Sequence, residues 1–235
     1  MECIIIIIIC IIAIVLLKIG FNVKIKDIKR IKEIGYDKDL NRIADKFEDN
    51  KEICKKILAK LGNKDVKIEE NSDTKSSLYI ALSNKIIIAN IKDTFTRIQT
   101  IAHECLHSVQ NRKILIFNFI FSNIFLLYFI AAIFLILFNV GNNLMLYIEI
   151  YTILAIIYCA VRNYLETEAM SKAIFVAKEY MEDYAKENKE IAQDDIDTLT
   201  NNFDTLNKIG IPMTNFCLVA GTIVKMAILA ALALI

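Results

Sequence analysis

The chain has 235 residues, of which 56% are hydrophobic and 23% charged, with a mean hydropathy of +0.46; this is too apolar for a soluble domain with an ordinary share of charge. The charge is segregated: residues 3–17, 114–161 and 214–235 hold only Glu149 and Lys225 of its 28 basic and 27 acidic residues, the pattern of a membrane protein with a polar domain. A formal net charge of +1 gives no general electrostatic reason to bind nucleic acid, and that partner is excluded. Six scattered cysteines, Cys3, Cys10, Cys54, Cys105, Cys159 and Cys217, lack the paired spacing of a zinc ribbon or a secreted disulfide framework, which favours a reducing compartment.

In chain order, residues 3–21 are apolar except for Lys18 and long enough to cross a hydrocarbon core of about 30 Å as a helix. The start Met1-Glu2 lacks the positive n-region of a cleavable signal, so the segment is expected to stay as an anchor. The basic stretch Lys24 to Lys32, with Ile25, Ile28, Ile31 and Ile34 interleaved, could lie on a membrane surface; a juxtamembrane helix that only fixes topology is the simpler expectation. Residues 22–113 have an α+β pattern: helical spacing from Asp39 to Leu61 closed by Gly62, alternation at Val66-Lys67-Ile68, and two β-rich runs around Ser83-Asn84-Lys85 that predict a hairpin. Asp93 or Thr94 offers the N-cap of a helix reaching about Arg112.

Residues 114–161 form a membrane hairpin, two apolar runs joined at Asn139-Val140-Gly141-Asn142-Asn143. Residues 162–213 hold polar helices, Asn163 to Ala185 and Asp194 to Lys208, and residues 214–235 form a fourth span after Pro212. Basic residues flank the spans on one side only: Lys18 and Lys24 to Lys32, then Arg112 and Lys113, Arg162, and Lys208. The positive-inside rule therefore puts the polar segments in the cytosol and both termini outside, a multi-pass topology in the cell membrane.

Both histidines of the chain stand in His103-Glu104-Cys105-Leu106-His107, an H-E-x-x-H pattern on the helix predicted around it. Positions i and i+4 share a helical face, so both imidazoles can hold one Zn²⁺, while Glu104, about 100° round the helix, can reach a metal-activated water as general base. Counting residues from His107 to Ile114 puts the metal about 10 Å from the apolar span, at the membrane but outside it. A catalytic zinc needs a third ligand and an open position. No further histidine exists, so a carboxylate is the natural donor, and Glu166 and Glu168 both follow the third apolar run. They point about 200° apart on a helix. Glu166 shares its face with the small residues Ala169 and Ala173, which mildly favours it.

The order of these features resembles that of the membrane-bound gluzincin metallopeptidases: the neutral zinc metallopeptidases of Gram-positive bacteria and, more distantly, the membrane heat-shock endopeptidases and CAAX-prenyl proteases. The resemblance covers the anchor, the β-hairpin, His103-Glu104-Cys105-Leu106-His107, two spans, Glu166-Thr167-Glu168-Ala169 as a Glu-x-x-Ala motif, and the last span. It implies a mostly α membrane protein of four transmembrane helices with a small α+β gluzincin-like cytosolic metallopeptidase domain. It further implies His103, His107 and Glu166 as zinc ligands with Glu168 the alternative, Glu104 as the base, and polypeptides in or beside the lipid bilayer as substrates. Leu106 replaces the group's usual small residue and Met170 its acidic or serine residue, so the partner that orients a ligand imidazole is unassigned. A non-catalytic scaffold or sensor holding structural zinc is the alternative.

Three smaller expectations complete the reading. Tyr164, Tyr180, Tyr184 and Arg162 are candidate oxyanion donors, Ile86 to Asn90 is either a sheet edge able to pair with substrate or a buried strand, and Glu149 pairs with Lys225 inside the spans.

Overall fold

The computed structural model describes residues 2–74, 76–140 and 143–234. Its elements are α1 (Glu2–Gly20), α2 (Ile25–Gly35), α3 (Lys38–Ala44), α4 (Asn50–Lys60), β1 (Lys67–Asn71), β2 (Leu78–Ile80), β3 (Lys85–Ala89), α5 (Arg97–Val109), α6 (Arg112–Leu137), α7 (Leu144–Glu187) and α8 (Gln193–Leu232). The fold is mostly helical with one three-stranded sheet, and α1, α6, α7 and α8 are long and apolar enough to cross a membrane. The chain divides into two compact units, residues 1–23, 117–164 and 211–235 in one and residues 24–116 and 165–210 in the other.

In the first, apolar unit most large side chains face outward, Ile4, Ile8, Phe119, Leu127 and Ile153 among them, and α1 buries only Cys10. Inside, Ala132 and Ala155 allow close approach beside Phe125, Tyr151 and Leu229. Tyr151 donates its hydroxyl to the Thr222 carbonyl and Tyr128 to that of Tyr147, each at 2.9 Å. Lys225 does not pair with Glu149 as expected. Its Nζ lies over the rings of Phe125 and Phe129, 5.3 and 5.7 Å from their centroids, an aromatic seat that partly satisfies the cation, while Glu149 points out of the unit. Gly141 and Asn142 of the expected hairpin tip lie outside the described residues.

The polar unit has one core made by α3, α4, the sheet, α5 and the polar parts of α7 and α8. Central strand β3 runs parallel to β1 and antiparallel to β2, Ile86 facing Ile68 on one side and Tyr79 on the other. The hairpin between β2 and β3 forms with Asn84 left-handed at φ +49°. Ile86 to Ala89 is thus a paired, central strand and not an edge: Ile86 and Ile88, at no more than 1% exposure, turn one face into the core, while Lys85 and Ile87 on the other face are half-buried.

The helical spacing expected from Asp39 to Leu61 is split in two. Arg97, 2% exposed, pushes its guanidinium into the gap between α3 and α4. Nη2 donates to the carbonyls of Ala44 and Phe47 at 2.9 and 2.8 Å, and Nη1 to the Glu48 carbonyl at 2.7 Å and to Asn50 Oδ1 at 2.9 Å. The turn frees backbone acceptors that a continuous helix would have used, and Arg97 takes them up. Asp49 then caps α4 by accepting from the Glu52 N–H at 2.9 Å, and Gly62, at φ +75°, closes it in the left-handed region as its position suggested.

Helix α5 starts later and stops earlier than expected. Thr94 turns back on the Ile91 carbonyl at 2.8 Å instead of capping, and Gln110 is already extended. The Asn111 side chain accepts the Lys113 N–H at 3.0 Å and opens α6. By contrast α7 and α8 are each continuous where two helices were expected. Residues 144–187 contain neither Gly nor Pro to stop α7, and in α8 Pro212 removes only the bond to the Lys208 carbonyl, which the helix on both sides outweighs. In the polar unit α7 presents a seam of Ala169, Ala173 and Ala177, all at most 1% exposed.

Replacing Arg97 with lysine keeps the charge but leaves one compact ammonium for four acceptors. The variant is expected to lose on the order of 3 kcal/mol of stability, read as a lower urea midpoint in detergent by far-ultraviolet circular dichroism. An unchanged midpoint would remove Arg97 from this role.

Candidate metal centre

Buried α5 carries Ile98, Ile101, Ala102 and Cys105 into the core, which turns His103 and His107 together toward α7. Their rings meet edge to face at 87° with Nε2 atoms 3.0 Å apart. Glu166, on α7, places Oε2 3.5 Å from His103 Nε2 and 3.8 Å from His107 Nε2. These three residues could hold a metal ion. A tetrahedral ion with bonds of about 2.0–2.2 Å to nitrogen and oxygen has ligand-to-ligand edges of about 3.4 Å, and the three separations lie on either side of that value. The donor side chains retain 12–23% of their exposure, so the cluster is sheltered but not sealed from solvent.

Glu168 is not in the cluster. One oxygen accepts from Lys172 Nζ at 2.6 Å and the other from Gln110 Nε2 at 2.9 Å, and the Lys172 hydrogen bond is the main reason its carboxyl titrates below the usual range. The offset of about 200° between positions 166 and 168 turns the two carboxylates to different neighbours.

Gln110 supplies the orienting partner that Met170 could not. Its Oε1 lies 2.8 Å from His107 Nδ1. An amide oxygen can only accept, so Nδ1 carries the proton and the Nε2 lone pair is left facing His103 and Glu166. The same amide donates through Nε2 to the Leu165 carbonyl and to Glu168, both at 2.9 Å. One side chain therefore orients an imidazole and ties the end of α5 to the turn of α7 that bears Glu166. Further along, Gln99 Nε2 donates to Asn207 Oδ1 at 2.8 Å and Asn207 Nδ2 to the Met170 carbonyl at 2.6 Å, joining α5, α7 and α8.

Glu104, about 100° round α5 from His103, is 7% exposed. Burial pushes its carboxyl above the ordinary 4.5, against the pull of His103 and His107 and of a hydrogen bond from the Tyr79 backbone N–H, with Glu166 adding to the rise. Burial alone would lower His107, but hydrogen bonds to Glu166 and Gln110 and the charges of Glu104 and Glu166 outweigh it and raise the imidazole above 6.5.

Cys105 is turned to the other side, its Sγ 3.6 Å from that of Cys54 in the core, and neither thiol joins the cluster. Among the expected oxyanion donors, Tyr180 gives its hydroxyl to Glu48 at 3.1 Å and Tyr184 packs on Phe47 with centroids 5.6 Å apart, so both are used in the core. Tyr164 and Arg162 belong to the apolar unit. The histidines and Glu104 follow from the motif, whereas Gln110 and the Tyr79 N–H do not. Gln110 was signalled only by lying three residues after His107, on its face; nothing in the sequence marks a backbone N–H. No protein-family model, curated protein or solved structure matches the chain.

Two outcomes follow from this geometry. Gln110→Leu is expected to weaken zinc binding by roughly 10–100-fold, measured by competition with a chromophoric chelator, whereas Glu168→Gln, which keeps an acceptor for Gln110, retains the parent's affinity. In the metal-free protein an ionised, buried Glu104 opposes folding above its unfolded pKa of about 4.5, since the folded state holds the proton more tightly. Glu104→Gln should therefore melt higher than the parent near about pH 8, with the gap closing as pH falls through the raised folded value and gone by about 4.5.

Proposed function

We propose that the protein is a membrane-anchored, zinc-dependent endopeptidase of the gluzincin type. It hydrolyses peptide bonds of membrane or membrane-adjacent polypeptides, with its active site in the cytosol and both termini outside. The observation that carries the reading is the convergence of His103, His107 and Glu166 beside a buried glutamate that immediately follows the first histidine.

When bound, a divalent zinc ion at these donors supplies Lewis acidity, lowering the pKa of a water to about 7 and polarising the substrate carbonyl. Glu104 takes a proton from the attacking water and delivers it to the nitrogen of the scissile amide, so that one water is consumed as the C–N bond breaks. Its raised proton affinity suits an acceptor that must also give the proton up, and the Tyr79 N–H steadies its carboxylate. Gln110 holds His107 in the tautomer that can ligate. Strand β2 is an edge of the sheet and packs beside α5, which carries Glu104. In this reading an extended peptide pairs with that edge, on the side of the general base, and not with Ile86 to Asn90.

A structural zinc in a non-catalytic scaffold would be closed by a fourth protein ligand. Among the described residues the cluster has three donors, with Cys105 turned into the core, which favours the catalytic reading.

Glu104→Gln is expected to keep the parent's zinc stoichiometry by elemental analysis and to lose roughly 10²–10⁴-fold in casein cleavage, with chelator abolishing the parent's activity. A Glu104→Gln protein that cleaves as fast as the parent would overturn the assignment.

A further inference from the structure

Four residues separate helix α2 from the end of apolar α1, and none of the residues of α2 is buried. At 100° per residue Ile25, Ile28, Ile31 and Ile34 occupy one half of its circumference, and Lys26, Lys29 and Arg30, with Glu33, the other. Ile34 packs against the core of the polar unit, but Ile25 is 75% exposed and Ile28 49%, so the N-terminal half of the apolar face is largely open. Against Asp27 and Glu33 stand Lys24, Lys26, Lys29, Arg30 and Lys32. Among the described residues none of these five forms an ion pair, although lysines elsewhere in the same unit do, such as Lys46 with Asp195 at 2.6 Å and Lys85 with Glu69 at 2.8 Å.

We propose that α2 is an interfacial anchor whose N-terminal half lies in the headgroup layer of an anionic bilayer leaflet, Ile25 and Ile28 directed to the acyl boundary and Lys24, Lys26, Lys29 and Arg30 against lipid phosphates. Two features choose a bilayer over a soluble acidic partner. The helix is joined to the end of a segment apolar enough to cross a membrane, and unpaired basic side chains with apolar stems beside exposed isoleucines suit a surface that is anionic above and apolar below. The anionic leaflet is the cytoplasmic one, the side on which the basic flanks of all four candidate spans are expected. The anchor does not depend on the catalytic reading and holds whether or not the polar unit hydrolyses anything.

The chain contains no tryptophan, so Ile28→Trp gives the full-length protein a single indole reporter, and Glu33→Trp one on the opposite face. Both are reconstituted into vesicles of phosphatidylcholine alone or with about 30 mol % phosphatidylglycerol, containing lipids brominated at a shallow or a deep acyl position. The Ile28→Trp indole is expected to show blue-shifted emission and quenching by shallow bromines in the anionic vesicles, falling to the level of the Glu33→Trp protein when Lys26, Lys29 and Arg30 are changed to Gln or when the anionic lipid is omitted. Equal quenching at the two positions, quenching indifferent to anionic lipid, or an indole that is blue-shifted but untouched by bromine, hence covered by protein, would each overturn the proposal.

Discussion

The guanidinium of Arg97 fills the gap where α3 ends and α4 begins and donates to four acceptors there, three carbonyls and the Asn50 side chain. A planar, permanently charged fork can serve several acceptors at once, and burying it is tolerable only because they meet it. The bond between the start of α5 and the α3–α4 turn fixes where α5 lies, and from there helical geometry does the rest. His103 and His107 fall on the face toward α7, while Ile98, Ile101 and Cys105 fall into the core.

The other end of α5 is held by a weaker but more specific device. Gln110 leaves the helix, accepts from His107, and donates to α7 at Leu165 and Glu168. Small residues on α7 complete the arrangement. Ala169, Ala173 and Ala177 are buried in the core that α5 shares, in sequence just after the turn that bears Glu166. Position, orientation and approach of the three donors thus rest on residues that would never ligate a metal.

Much of this was legible in the sequence. The four apolar runs are long and nearly free of charge, the two histidines stand four apart, and the alanine stripe lies on the face of Glu166. What escaped were features decided across long sequence distances. The break between α3 and α4 is stabilised by a residue about fifty positions away, so the apolar spacing from Leu40 to Leu61, read locally, runs straight through it. The order β1-β3-β2 depends on a parallel pairing that no turn signal announces. The merging of apolar runs and polar helices into α7 and α8 was hidden by the change in composition at their junctions, although such a change does not by itself end a helix. Lys225 shows the same limit at close range, since its aromatic seat beside Phe125 and Phe129 required the packing of α6 on α8 to be known.

The central claim is that one ion is held by two imidazoles and a carboxylate. X-ray absorption at the zinc edge of the metal-loaded, full-length protein tests it most directly, because nitrogen and oxygen ligands at about 2.0–2.2 Å are distinguishable from sulfur at about 2.3 Å. Two imidazole nitrogens with one or two oxygens and no sulfur are expected, and Glu166→Ala should lose an oxygen while Glu168→Ala should not. A sulfur shell, or a spectrum unchanged by Glu166→Ala, would contradict it.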